Sequence, residues 1–347
     1  MVKGQTLQLP SVFERYRDDI DAGLRAAFNN RELPLYDMMR YHLGWLDEDG
    51  RPQSSSGGKA LRSTLCLLAC EATGGDYRRA LPAAVAVELV HNFSLIHDDI
   101  QDDDRERHHR LTVWSIWGKP QAINAGTAMR VLASLALRGL QEHGLSIQNR
   151  LDAQHLLDKS CLSMIEGQYL DISYESRLDV GVTDYLDMID RKTAALIECA
   201  LEMGALLGVE NGGIIERFRD FGRNLGLAFQ MRDDILGIWG DERCTGKPRA
   251  NDIRRRKKSL PVVYALEKAE GGMRQELVDI YQKGVVDDAA LERVLRGLEF
   301  FRARTFAYEM AQEYCRRALL EIEELDLSPL VRRDLEEVAR FLVERDF

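Results

Sequence analysis

Only eight prolines are spread over 347 residues. That is too few for a sandwich of short strands and suits long helices. Nor is there an excess of positive charge. The formal net charge of −10 argues against a nucleic-acid binder, whose affinity comes mainly from Lys and Arg on phosphates. Small anionic ligands respond to local charge and are not excluded. Metal-finger spacing is missing from the six cysteines, Cys66, Cys70, Cys161, Cys199, Cys244 and Cys315. Several sit among apolar residues, as buried free thiols of a reducing compartment do. No N-terminal stretch has the charged-then-apolar layout of a signal peptide. No apolar run reaches the roughly 20 residues that spanning a bilayer requires. A soluble, cytoplasmic protein that does not span a membrane is expected.

What is present is helical spacing of apolar residues almost throughout, with no convincing period-two stretch. Helices are expected near 11–28, 31–46, 58–73, 80–103, 121–143, 149–174, 184–208, 213–239, 259–269, 288–322 and 329–345. Gly74-Gly75 should end the helix that begins near Gly58, and Pro82 should fall in the first turn of the next. Thr183 and Ser328 read as N-caps, the latter followed by Pro329. Two segments look irregular, Arg51 to Gly57 and Asp241 to Asp252. Neither resembles a long linker, and no repeat appears. The reading is all-α: one large helical bundle over 1–347, with a motif-bearing core near 50–270 and capping helices near 285–347.

Asp98-Asp99-Ile100-Gln101-Asp102 closes a long helical stretch. Residues four apart share a helical face, so Asp98 and Asp102 aim their carboxylates at one point, and Asp103 and Asp104 follow. So many carboxylates repel unless cations lie among them. Oxygen-only ligands suit Mg²⁺, which takes one or two carboxylates plus substrate phosphate. A solvated acidic helix end is the plain alternative. A second pair, Asp233-Asp234, also lies late in a long helical stretch. Two facing helices ending in carboxylates would build one metal cluster that holds a diphosphate and neutralises it as it leaves.

Basic residues are spaced to complete a phosphate site. Lys59 and Arg62 follow a Gly-Gly pair at a helix start, where backbone amides already favour anions. Arg107, Arg110, Lys247 and Lys257 follow the two acidic motifs. The run Arg254 to Lys258 reads mainly as a solvated face, with Lys257 singled out.

With these blocks in hand, the sequence resembles the trans-isoprenyl (polyprenyl) diphosphate synthases over roughly residues 50 to 270. Four blocks occur in the family's order: Gly57 to Arg62, Glu88 to Asp102, Lys192-Thr193-Ala194, and Gly226 to Lys257. Taken singly, His91 would be an interior histidine, Thr193 an ordinary helix residue and Gln230 a polar bundle contact. The resemblance implies the isoprenoid synthase type I fold and a homodimer. It also implies that Lys59, Arg62 and His91 hold isopentenyl diphosphate. Asp98, Asp102 and Asp233 would ligate three Mg²⁺ ions bridging to an allylic diphosphate, which Arg107, Lys192, Lys247 and Lys257 contact. Thr193 and Gln230 would stabilise the allylic cation as fixed dipoles. The departing diphosphate would take the proton, so no side-chain general base is needed.

Departures from the family pattern matter. The loop after the first motif usually reads Arg-Arg-Gly-x-Pro-Thr; here it is Arg107-His108-His109-Arg110-Leu111-Thr112. His108 therefore stands where a second arginine usually contacts isopentenyl diphosphate. Losing that charge-assisted contact costs about 1.5–3 kcal/mol, unless Arg110 compensates. Gly237 replaces the last aspartate of the second motif. Ala60, Ser63 and Thr127 replace an arginine, a proline and an aspartate.

In this family the residues before the first motif form the floor of the product pocket. Phe93 beside the small Ser94 resembles geranylgeranyl diphosphate synthases, so a twenty-carbon product is expected and fifteen carbons is the alternative. Three rivals stand beside the synthase reading: a class I terpene cyclase, a catalytically poor partner subunit of a heteromeric synthase, and an HD-type phosphohydrolase using His97-Asp98.

Overall fold

A computed structural model describes residues 9–53, 60–107, 109–240, 250–282 and 286–345. The described residues are predominantly helical. Three short helices open it: α1 (Val12–Arg15), α2 (Arg17–Ala26) and α3 (Pro34–His42). The bundle proper follows as α4 (Leu61–Ala72), α5 (Leu81–Gln101), α6 (Val113–Trp117), α7 (Lys119–Ala136), α8 (Ile147–Glu175), α9 (Val182–Ile189), α10 (Ala195–Gly208) and α11 (Gly212–Trp239). The C-terminal third adds α12 (Asn251–Arg254), α13 (Leu260–Lys268), α14 (Gly271–Gln282), α15 (Asp288–Phe300), α16 (Ala303–Glu323) and α17 (Pro329–Glu344).

The principal packings pair α5 with α7, α4 with α10, α10 with α11, and α11 with α16. They bury one main core, in which Leu65, Leu89, Phe218, Phe221 and Leu225 are fully covered. A smaller core around Ile253, Tyr281 and Val294 lies beneath the C-terminal helices. The most apolar helical stretch, Tyr77–Gln101, is long and apolar enough to cross a membrane, contrary to the expectation that none would be, but 61% of its apolar window is buried inside the protein. It is the central core helix.

Several boundaries differ from the sequence reading for local reasons. The first expected helix is broken at Tyr16, and the one expected over 288–322 is broken by Arg302, whose left-handed backbone (φ 52°) separates α15 from α16. Helix α14, begun by Gly271 and Gly272, was not expected. Thr183 is not a cap: it lies inside α9, whose N-cap is Gly181 with Asp184 accepting from its backbone N–H at 3.0 Å. Ser328 does cap α17, its hydroxyl accepting from Val331 N. Gly74, at φ +87°, follows the end of α4 as expected. A two-residue hairpin, Glu106–Arg107 with Arg110–Leu111, replaces plain loop after α5.

The stretch expected as one helix over 184–208 contains a π-helical segment, Asp190–Ala194. Such a widened turn displaces side chains from the α register and is frequent at functional sites. It lies against α8 at Gly167, where an added Cβ would come within 2.2 Å of the Lys192 backbone nitrogen. Gly167 is thus what lets this segment approach α8.

Candidate active site

A cavity of about 1770 Å³ opens between α5, α8, the π segment and α11. The end of α5 contributes Asp98 and Asp99. Asp171 reaches in from α8, Lys192 and Thr193 from the π segment, and Gln230 and Asp233 from α11. Arg62, His91, Arg107, Lys257 and Arg345 line it as well.

Carboxylates and cations alternate around it. Lys192 pairs with Asp171, and the Lys192 charge also acts on half-buried Asp98. Burial pushes the Asp98 proton affinity up, and Asp102 adds to this. The opposite holds at Asp171, held below the ordinary carboxylate range by Lys192 and Lys257 despite its burial. Asp102 is not part of the cavity lining; it accepts from Lys257 Nζ at 3.4 Å and faces Arg255 at 3.8 Å. Arg255 also pairs with Asp104. Asp103 turns away to the surface and pairs with Lys119. On the far wall Asp233 pairs with Arg345.

The neighbouring aspartates do different work. Arg107 donates to Asp99 Oδ1 through Nε at 2.8 Å, with Nη2 also 2.8 Å away. Burial lifts the Asp99 pKa to about 6 despite that arginine. Asp234, also buried, is pushed up to about 7. It accepts from Tyr185 OH (2.7 Å), Leu260 N (2.7 Å) and Gln230 Nε2 (2.9 Å). With its amide nitrogen so fixed, Gln230 presents Oε1 to the Thr193 hydroxyl, which donates at 2.7 Å. The result is a preorganised row of dipoles between the two acidic motifs. His91 is deprived of its proton by burial and by Arg62 and Arg107, so it offers a neutral N–H rather than a charge.

No group of three or more ligating side chains that could cage a metal ion occurs among the described residues. The donor chemistry nevertheless fits Mg²⁺. Its carboxylates are hard oxygen donors on α5, α8 and α11, as for an ion whose shell is completed by substrate oxygens and water. Protein cations neutralise them meanwhile.

The polyprenyl synthetase family model matches residues 44–298. The chain belongs to this family. Its members are trans-prenyltransferases, and this chain is one. It is 38% identical to the (2E,6E)-farnesyl diphosphate synthase of Mycobacterium tuberculosis over 327 residues, covering 93% of this chain and 89% of that protein. It is 39% identical to the geranylgeranyl diphosphate synthase of the same organism over 320 residues, covering 92% and 90%. The crystal structure of a polyprenyl synthetase from Streptomyces coelicolor superposes with a TM-score of 0.87 at 38% identity, covering 96% of this chain and 99% of that one. The all-α isoprenoid synthase fold is therefore established.

Within this family frame the departures acquire structural reasons. At Gly237 an added Cβ would lie 2.0 Å from Asp252 Oδ2, so the carboxylate of Asp252 fills the space a side chain at 237 would need. Ser63 Oγ lies 2.9 Å from both Ala60 O and Glu88 Oε2, its single proton shared between them, and so partners a carboxylate buried on α5. Arg110 lines the cavity, donating to Leu46 O at 2.8 Å and stacking 4.2 Å over Tyr41. Lys59, His108 and Lys247 lie outside the described residues. Phe93 and Ser94 line the cavity, Phe93 buried and the Ser94 hydroxyl donating to His91 O at 2.7 Å.

The basic run Arg254 to Lys258, expected to be mainly a solvated face, is not one. Only Arg254 is exposed, paired with Asp288; Arg255 reaches the first acidic motif, and Lys258 is buried, donating to Glu175 O at 3.1 Å. Sequence reasoning also missed Asp171 and Arg345. Asp171 had a signal: with Gln168 three residues earlier it puts polar groups on the otherwise largely apolar inward face of α8. Arg345 had none, because its place depends on how the chain end folds back.

Proposed function

We propose that this prenyltransferase joins isopentenyl diphosphate to an allylic diphosphate and releases an all-trans product of twenty carbons. The observation that carries this is the opposition, across one cavity, of Asp98 and Asp233, with Lys192 and the Thr193–Gln230 pair also in its wall. Asp98, Asp102 and Asp233 would hold the Mg²⁺ ions, three in number as the family resemblance implies. Bound there, the ions would neutralise charge on the departing diphosphate. Lys192 and Lys257 add fixed cations on that side, and Arg107 keeps one wall in place through Asp99. Gln230 Oε1 and the Thr193 hydroxyl oxygen face developing positive charge with dipoles already oriented by Asp234, so no reorganisation is required. Arg62 and neutral His91 bind the isopentenyl diphosphate.

Product length rests on Phe93 and Ser94. A single ring beside a serine leaves room past fifteen carbons. The matched relatives include both a farnesyl and a geranylgeranyl synthase, so they do not choose between the two lengths. The chain would act in the cytoplasm as a homodimer: α8 exposes Leu162, Ile165 and Tyr169, and α7 exposes Ile123 and Val131, apolar surface that a second copy would cover.

The test is incubation with Mg²⁺, isopentenyl diphosphate and each allylic diphosphate of five, ten or fifteen carbons, with products read by mass spectrometry. Elongation ending at twenty carbons, abolished by Asp98→Ala and shortened by Ser94→Phe, is expected. Release of a hydrocarbon or alcohol from an allylic diphosphate alone would identify a cyclase instead.

A further inference from the structure

Arg345 lies just beyond α17, two residues from the end of the chain, and turns back into the cavity. Its backbone carbonyl accepts from Arg232 Nε at 2.8 Å and Nη2 at 2.6 Å, tying the chain end to the residue before Asp233. Its guanidinium lies 4.4 Å over the Phe229 ring and pairs with Asp233. The residue is only 8% exposed, yet its Nε has no hydrogen-bond partner among the described residues. Arg62 Nε is orphaned in the same way, and each arginine feels the other's charge. Glu88 and Asp233 are the carboxylates near Arg62. Glu88 is occupied by Ser63 and Asn92.

This arrangement conflicts with a metal on Asp233. A divalent cation there would take the only anion that pairs with Arg345 among the described residues, and a desolvated guanidinium left unpaired is strongly unfavourable. The metal must therefore displace Arg345, or a second anion must arrive to accept it. The two orphaned Nε–H groups are donors for such an anion, and guanidinium is the group suited to phosphate oxygens.

We propose that Arg345 is an exchangeable counter-ion: it neutralises Asp233 in the resting enzyme and moves to the diphosphate held by Arg62 when metal binds. This rests on the proposed function, since it takes that diphosphate to be isopentenyl diphosphate. The consequence is a linkage between two ligands that need not touch. Isopentenyl diphosphate draws Arg345 off Asp233 and so tightens metal binding, and by reciprocity the metal tightens isopentenyl diphosphate.

The experiment is calorimetric titration of the full-length enzyme with Mn²⁺, with and without isopentenyl diphosphate and with no allylic substrate, so that no turnover occurs. In the wild type, isopentenyl diphosphate should tighten Mn²⁺ roughly tenfold, the size of one charge-assisted contact exchanged. Arg345→Gln should bind Mn²⁺ more tightly than wild type on its own, lose the coupling, and show KM for isopentenyl diphosphate raised about tenfold with the allylic KM unchanged. Arg345→Lys should restore part of the coupling. An unchanged Mn²⁺ affinity when isopentenyl diphosphate is added to wild type overturns the proposal, whether or not any variant folds. Elongation by that same wild-type preparation separates this failure from failure of the proposed function: intact elongation without coupling sinks only the role of Arg345.

Discussion

The Lys192–Asp171 pair allows the charge balance of the site to be tested apart from catalysis. Both side chains are about one-fifth exposed, at 21% and 20%. Asp171→Asn keeps the shape and removes the charge, leaving Lys192 buried near Lys257 with Asp98 as its remaining anion. Breaking a fully buried pair costs about 3–5 kcal/mol; residual exposure and Asp98 reduce this to roughly 2 kcal/mol. For a chain of this length the unfolding entropy is about 0.7 kcal/mol per kelvin, so the melting temperature should fall by about 3 °C. The pH dependence carries the sign. Asp171 is held below its ordinary range in the folded state, so its contribution is complete above the unfolded carboxylate pKa of about 4 and is lost as pH falls through the folded value. Melting of wild type and variant, followed by circular dichroism, should show a constant gap from pH 8 to 5 that closes only below about 4. Diphosphate binding separates a scaffold role from a ligand role. Under the proposed function Lys192 loses a competitor, so the allylic KM should not rise. No gap at pH 7, or one that shrinks between pH 7 and 5, would refute the assignment.

Three further outcomes follow from named contacts. Thr193→Val removes the donor to Gln230 Oε1 and should lower kcat about tenfold with both KM values unchanged, as steady-state kinetics would reveal; equal loss in KM would mean a substrate-binding role instead. Gly237→Asp restores the family's motif but drives a side chain onto Asp252. It should cost about 1–3 kcal/mol in denaturant unfolding and lower turnover, and a stable, faster variant would contradict this. Lys258 is buried and its pKa falls to about 8, so its charge destabilises the fold below that value. The cost is relieved as pH rises toward the ordinary lysine pKa of about 10.4. Lys258→Met should therefore be the more stable protein at pH 7, by up to about 3 kcal/mol, with the difference disappearing near pH 10; a difference independent of pH would point to packing alone.

What the sequence reading reached, and what it did not, divides by the range of the interaction. Asp98 and Asp102 share a face because four residues make about one helical turn, and that holds in any fold. Lys192, Thr193 and Gln230 were found as parts of blocks, yet the bond between Thr193 and Gln230 spans 37 positions and no spacing rule gives it. The π segment was invisible for a related reason: one widened turn barely alters the apolar pattern over 184–208 but rotates Lys192 and Thr193 relative to α9.

Charge pairing was the least legible feature. The sequence offered more cations than the acidic motifs need, and helical spacing ranks none of them. Only the packed bundle gives Asp171 to Lys192, Asp99 to Arg107 and Asp233 to Arg345. These three pairings are not equivalent. Asp99 and Asp171 are settled by cations from the hairpin and the π segment, each flanked by helices on both sides. Asp233 is settled by the last described residue of the chain, held through its own carbonyl and an aromatic face. Arg345 meets Asp233 through one guanidinium nitrogen, whereas Arg107 grips Asp99 through two, so the Asp233 contact is the easier to exchange. The carboxylate most easily uncovered is thus the one on the wall opposite Asp98, where the proposed chemistry requires a metal to enter.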